Sequence, residues 1–332
     1  MNRRHLLALG SSAILPSLAR AQTLPNIRYG WAITPAQLPP LIFANTSILK
    51  HYGHSYTAEG YYFRGSTPQI TALAAGELDI AALAFSSFGI AIQNARMNDL
   101  RAIGDLYQDG VPGFATSQYV VRADSGIRSV RDLKGKVIAS NGLGGALDMG
   151  MRKMLRDNGL EDKRDYSVIE VEFPNMGPML REQKVDLAGM VAPFLLTALK
   201  EGWIRPLFTM KDSMGVAQTT LMAARTPFIA KNRPALVDFL EDVQHGTRWL
   251  LDRANRPAVL ALVARVTKQP ESAFADWLFT ADDYFHDPDA RPNLAALQNN
   301  MRLQKELGFL KADIDLAKYT DLSMVDEAAK RA

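Results

Sequence analysis

Gly76-Glu77-Leu78-Asp79-Ile80-Ala81 and, 107 residues later, Gln183-Lys184-Val185-Asp186-Leu187-Ala188 follow one plan: a helix-ending residue, a charge, an aliphatic residue, Asp, and the start of an apolar run. Short apolar runs bounded by turn residues read as buried strands, and longer stretches with apolar residues at helical spacing read as helices. Ahead of the first copy come a strand over 27–31, a loop over 32–35, a helix over 36–52, Gly53 and a strand over 55–62. A helix then opens at Thr67-Pro68, a cap followed by a residue suited to the first turn, runs to Ala75 and leads into a strand over 79–84. Around the second copy the order recurs: strand 136–140, loop 141–145, helix 146–158, Gly159, strand 166–172, a proline-containing loop, helix 178–183, strand 186–191. Strand-helix-strand units of this kind close as right-handed crossovers in a mainly parallel sheet, so the chain is α/β with two similar lobes.

Two extended stretches, Ser117 to Arg122 and Ala217 to Ala224, lie between these units and are expected as crossing strands that form a hinge. From Asn232 the pattern is helical, with Leu236, Phe239, Leu240, Val243 and Leu250 on one stripe and Gly308 ending a later helix; these helices are expected to return to the first lobe. The resulting division is a leader over 1–21, a first lobe over 22–120 and 220–332, and a second lobe over 121–219.

The leader has the three zones of an export signal: Arg3-Arg4, an apolar stretch from Leu6 to Leu15, and Ala19-Arg20-Ala21 before Gln22. Twin arginines also fit the twin-arginine route, with general secretion as the alternative. The leader holds three of the 38 Lys and Arg and no acid, so the mature chain carries 35 basic against 35 acidic residues. A neutral chain does not suit nucleic acid or an anionic membrane as partner, which call for a gathered basic face. The absence of cysteine rules out disulfides, thiol nucleophiles, Cys-ligated zinc and a lipid-modified cysteine after the signal. The expectation is a free periplasmic protein acting as a monomer.

The run Thr71 to Ala81, the element Ser129-Val130-Arg131-Asp132-Leu133-Lys134-Gly135-Lys136-Val137 and the late Thr320-Asp321-Leu322-Ser323-Met324 carry a resemblance over nearly the whole mature chain. They resemble the periplasmic substrate-binding proteins of nitrate, sulfonate, taurine and thiamine-pyrimidine type ABC transporters. The resemblance implies a two-lobed periplasmic-binding-protein fold of type II that closes about its ligand and delivers it to a membrane permease and ATPase. Where relatives often show an aromatic-acid-proline-aromatic run, this chain reads Val191-Ala192-Pro193-Phe194. The missing acid speaks against a ligand whose ammonium would pair with it, taurine included.

Ligands of open α/β sheets bind beyond the carboxyl ends of the strands, where helix starts converge. Asn141-Gly142-Leu143-Gly144-Gly145 leaves a nearly bare backbone at such a start, which puts Asn141, Leu143, Gly144 and Gly145 among the candidate contacts. Arg64-Gly65-Ser66-Thr67 offers a guanidinium able to hold a carboxylate or sulfonate through parallel hydrogen bonds, two hydroxyls and a second helix start. Ser86 and Ser87 come at the end of the strand over 79–84, and Trp31, Tyr119, Met176 and Phe194 stand at loop or hinge positions where they can wall an apolar pocket. Such a cleft suits a small organic anion better than bare nitrate, with a pyrimidine or other heterocycle as the alternative.

Other patterns fall short of their chemistry. Gly142-Leu143-Gly144 has Leu147 where a dinucleotide site needs its third glycine, and Ser47-Ile48-Leu49-Lys50 lacks the companion motifs of a β-lactamase. Phe85-Ser86-Ser87-Phe88-Gly89 has Phe85 where a nucleophile elbow needs glycine. His51 and His54 have no further ligands beside them in sequence, and Asp282 to Asp289 lacks the glycine of a calcium loop and reads as a polar turn. No catalytic residue, cofactor or metal is expected. The rivals are an enzyme of the thiamine-pyrimidine synthase type, which relies on a cysteine-rich motif that this chain lacks, and a sensor subunit serving a membrane kinase.

Overall fold

The computed structural model describes residues 23–331, so the expected export signal lies outside the described residues. The chain runs β1 (Asn26–Trp31), α1 (Pro39–Ile42), β2 (Thr57–Tyr62), α2 (Ser66–Ala75), β3 (Ile80–Ala84), α3 (Phe85–Gln93) and β4 (Leu100–Asp109). It continues through β5 (Gln118–Arg122), β6 (Lys136–Ser140), α4 (Ala146–Asp157), β7 (Tyr166–Glu170), α5 (Phe173–Arg181), β8 (Leu187–Met190), α6 (Phe194–Lys200) and β9 (Ile204–Thr209). The last part holds α7 (Met210–Met214), β10 (Ala217–Arg225), α8 (Thr226–Leu251), α9 (Arg256–Thr267), α10 (Leu294–Glu306) and α11 (Ser323–Ala329).

The strands make two five-stranded sheets ordered β2-β1-β3-β10-β4 and β7-β6-β8-β5-β9. Each contains one strand antiparallel to both neighbours, β10 in the first and β5 in the second. Those two are the stretches expected at the hinge, and each follows directly on a passage from one sheet to the other, over 110–117 and over 210–216. The sheets thus repeat one another, with the single reversed strand supplied where the chain arrives from the opposite lobe.

The repeated stretch has a physical meaning in this frame. The Asp79 carboxylate accepts the Arg28 N–H of β1 at 2.9 Å, and the Asp186 carboxylate accepts the Val137 N–H of β6 at 3.0 Å. In return the Asp79 and Asp186 amides donate to Arg28 O and Val137 O at 2.9 and 2.7 Å. Each Asp therefore extends the ladder at the start of a central strand, where pairing would otherwise leave backbone groups unsatisfied. The helix before each copy ends on a left-handed residue, Gly76 (φ 73°) and Gln183 (φ 60°), so the chain turns into the strand in the same way twice.

Two expected elements differ. The helix over 36–52 is one turn, α1, followed by a 3-10 turn at Thr46–Ile48. Pro39-Pro40 can open a helix but not extend one upstream, and Asn45, at φ −126° and ψ 62°, breaks it, with Ser47 Oγ donating to Asn45 Oδ1. Conversely α5 starts at Phe173 rather than 178, since Pro174 falls in its first turn, where a missing N–H costs nothing.

The C-terminal helices do brace the first sheet. Phe239 of α8 stacks on Phe43 at 5.2 Å and meets Tyr56 edge-on, and buried Asp242 accepts Lys50 N, Tyr52 N and Tyr56 Oη, holding the turn before β2. The end of α10 and the segment after it also reach the second lobe: Arg156 of α4 donates to Glu306 O, and the Arg152 guanidinium lies 5.9 Å from the Phe309 ring centre.

Candidate ligand site between the two sheets

A cleft of about 610 Å³ lies between the sheets at the ends of β1, β3 and β6. Four helices begin at its wall: α2 with Gly65, Ser66 and Thr67, α3 with Ala84 and Ser87, α4 with Gly145, Ala146 and Leu147, α5 with Glu172, Phe173 and Pro174. None of these four starts has a side-chain cap. Uncapped helix starts carry free N–H groups and the positive end of the helix dipole, the arrangement that receives an anion.

Local bonds hold these starts in place. Gln69, fully buried on α2, accepts Ala82 N at 2.8 Å and donates to Gly65 O, while Ser66 Oγ accepts Ala84 N. In the second lobe the Asp148 carboxylate accepts Gly144 N at 2.8 Å and Arg152 Nε at 2.7 Å, fixing the glycine loop on α4. Burial pushes the Asp148 carboxyl up from its ordinary range and the Arg152 hydrogen bond pulls against that. The loop over 32–37 folds on Gln37 Oε1, which accepts Ala32 N at 2.7 Å.

Among the described residues that line the cleft, Arg64 is the one cation, facing three acids, Glu170, Glu172 and Asp283. Arg64 stands 85% exposed on the first lobe with Nη1 3.9 Å from Glu172 Oε1 of the second, so this pair spans the mouth. At the base, Ser117 Oγ meets Tyr284 Oη at 2.9 Å and donates to Asp109, and Tyr284 lies 5.0 Å from Tyr107. Burial pushes Asp109 and Tyr284 up, holding the phenol in its protonated form. Thr220, also in the lining, has a buried Oγ1 without a hydrogen-bond partner.

Of the residues singled out in the sequence, the cleft gathers Arg64, Gly65, Ser66, Thr67, Ser87, Asn141, Leu143 and Gly145. The others point elsewhere. Tyr119 is core, its hydroxyl donating to Leu147 O and its ring stacked 4.4 Å from Phe208, because alternate residues of an inner strand face the packed side of the sheet. Met176 is fully buried among Val120, Leu180 and Met190, and Ser86 is fully buried with its carbonyl held by Gln304. A side chain at Gly144 would meet Ile90 and Phe309, Trp31 packs beside Tyr29 and Tyr62, and Phe194 lines a second cavity. Missed in the sequence were Tyr62, Ser117, Thr219, Thr220, Trp277 and Tyr284. The signals for them were the two stretches expected at the hinge, which hold Ser117, Thr219 and Thr220, and the Asp282–Asp289 stretch, an aromatic inside a polar turn. His51 lies away from the cleft, with Nε2 3.0 Å from Glu241 Oε2.

A family profile described as NMT1/THI5 like matches residues 63–256, more than half of the chain and every helix start of the cleft. The chain belongs to the NMT1/THI5-like family. No curated protein matches it. Among solved structures, it is similar to the periplasmic aliphatic sulphonate binding protein SsuA from Escherichia coli, at 19% identity and a TM-score of 0.69 over 89% of this chain and 97% of that one. It is similar also to the periplasmic nitrate-binding protein NrtA from Synechocystis PCC 6803, at 17% identity and a TM-score of 0.72 over 93% and 89%. A third likeness is to the desulfurization enzyme DSZB, at 13% identity and a TM-score of 0.65 over 92% and 99%. That enzyme has been solved as a cysteine-to-serine mutant with biphenyl-2-sulfinic acid. At these identities the likeness is one of fold, and it is the two-lobed α/β fold expected from the sequence.

Proposed function

We propose that this NMT1/THI5-like chain is the extracytoplasmic solute-binding component of an ABC uptake transporter, and that it takes a small organic anion, a sulfonate or carboxylate, between its lobes. The observation that carries this reading is the convergence of four uncapped helix starts around the single cation Arg64. Amide donors from both lobes hold the charged head, Thr220 Oγ1 supplies a further polar group, and the aromatic and aliphatic walls favour an organic body over bare nitrate. Because those donors belong to both sheets, a bound anion stabilises a closed arrangement over an open one; the passages over 110–117 and 210–216 are the hinge. The closed form is the one a permease recognises. The absence of cysteine argues against thiol chemistry of the kind a fold neighbour's cysteine mutant suggests.

A thermal-shift screen against sulfonates, carboxylates, pyrimidines and nitrate tests this. Ligand at a thousand times its dissociation constant adds about 4 kcal/mol, or several degrees for a chain of this size. Shifts from organic anions alone support the reading, and shifts confined to nitrate or pyrimidines refute the ligand class.

A further inference from the structure

The sequence sets His54 but no further ligand near His51; the fold brings two carboxylates to it. Asp238 and Glu241 stand three apart on α8 and so share a helix face. His51 and the two acids each offer one atom, and those atoms all lie within 4.8 Å of one another. The turn that carries His51 is fixed independently of this cluster. Asp242, the next residue of α8, accepts the backbone amides of Lys50 at 2.7 Å and Tyr52 at 3.0 Å, which holds His51 against the helix whatever its ring does.

Glu241 is 3% exposed, and its Oε2 has no hydrogen-bond partner among the described residues. Neither has the buried His51 Nε2, although the two atoms are 3.0 Å apart. A buried polar atom left unbonded is costly, so such atoms call for a partner. Two of them this close, yet not aligned to bond each other, converge on a shared third point. A nitrogen and an oxygen bound to one zinc ion, each about 2.0–2.2 Å from it, stand about 3–3.5 Å apart, which the observed spacing already meets. Lys50 Nζ lies 3.3 Å from Glu241 Oε1 and Arg331 Nη1 3.1 Å from Asp238 Oδ1. Both cations are nearly half exposed, so these pairs are weak and can yield to an ion.

We propose that His51, Asp238 and Glu241 form a binding site for a divalent transition-metal ion, zinc foremost, with water completing its coordination. An imidazole nitrogen beside carboxylate oxygens suits zinc, whereas magnesium and calcium take oxygen ligands. The ion ties the turn over 50–54 to α8, so it acts on the stability of the first lobe and not on the cleft.

Calorimetric titration of zinc chloride into chelator-stripped protein without a histidine tag, with magnesium chloride in parallel, tests the site. The unaltered chain is expected to take one zinc ion, to ignore magnesium, and to melt several degrees higher with zinc in large excess over its dissociation constant. His51→Asn and Asp238→Asn alter partly exposed residues, and each is expected to weaken zinc binding at least about tenfold. His54→Asn, at an exposed position, leaves it unchanged. If His51 and Glu241 form only an ion pair, His51→Asn lowers the melting temperature in chelator while zinc adds nothing to the unaltered chain, and the site is overturned. Zinc binding that survives both substitutions, or that is lost with His54→Asn, puts the ion elsewhere and overturns it as well. X-ray absorption on the zinc-loaded unaltered chain needs no variant: one imidazole among oxygen ligands supports the site, and none, or two or more, overturns it.

Discussion

The carboxylates of Asp79 and Asp186 accept backbone N–H groups of β1 and β6 at 2.9 and 3.0 Å, and each is the fourth residue of its copy of the repeated stretch. Asp186→Ala removes the acceptor of a partly buried N–H, and is expected to cost about 1–3 kcal/mol in urea unfolding, whereas Asp186→Asn, which keeps an oxygen, costs less. Met176 separates core from ligand wall: Met176→Ala is expected to lower stability by about 2–5 kcal/mol with ligand affinity unchanged among folded molecules. Asp105 brings pH into play. It is 4% exposed, accepts the Gln218 amide and Asp287 N, and burial lifts its pKa to about 7. A folded-state pKa above the ordinary acid value means that the native chain retains a proton the unfolded chain has released. This contribution to stability is present at acid pH and is lost as pH rises to about 7. Asp105→Asn is expected to gain on the unaltered protein across that window, by at most about 1.4 kcal/mol per pH unit, as read from unfolding curves at pH 5, 6 and 7. At this scale the sequence was legible where spacing repeats, as in the two Asp residues, and illegible where orientation decides. Tyr119 and Met176 look like wall residues in the sequence, and only strand alternation and packing turn them inward.

Among the elements, β6 falls on the residues expected for it because its apolar run stands between Gly135 and the glycine-rich loop, and α4 begins at Ala146 as expected because Gly144 and Gly145 stop any earlier start. The segment over 36–52 misled because its composition favours helix while two prolines and Asn45 break it up. Loops after strands identified eight of the residues around the cleft, Ser87 among them although it lies in the first turn of α3. Thr219 and Thr220 come from the reversed strand, expected at the hinge but not as ligand wall, and Trp277 and Tyr284 from an irregular stretch after α9 that no local period marks. The start of α4 gives an element-scale test. Gly144 has φ +76°, a region that β-branched residues enter only under strain, and its amide is held by Asp148. Gly144→Val is expected to destabilise the chain by about 1–3 kcal/mol and, by displacing the α4 start, to weaken anion binding; the two effects are separated by titrating well below the unfolding temperature.

Taken whole, the molecule sets helix starts from two lobes around a mouth that Arg64 and Glu172 span. That pair has two opposed effects. By linking the lobes it favours the closed arrangement, and by placing a carboxylate beside the one lining cation it competes with any anionic ligand for Arg64. Both partners are largely exposed and 3.9 Å apart, so the link between lobes is screened and weak, whereas an anionic ligand would hydrogen-bond the guanidinium directly. Competition is therefore the larger effect. Glu172→Gln is expected to tighten binding of an organic anion about two- to fivefold, most clearly at low salt because the removed repulsion is electrostatic. Arg64→Ala is expected to weaken it about tenfold or more, the loss of one charged hydrogen-bonding partner. With both substitutions together, the benefit of Glu172→Gln should shrink, since the freed guanidinium is no longer there to be used, and a double-mutant cycle by calorimetry reads that non-additivity directly. Additive effects would mean that Glu172 acts on the ligand without passing through Arg64. Weaker binding in Glu172→Gln alone would mean instead that the pair serves chiefly to hold the lobes together.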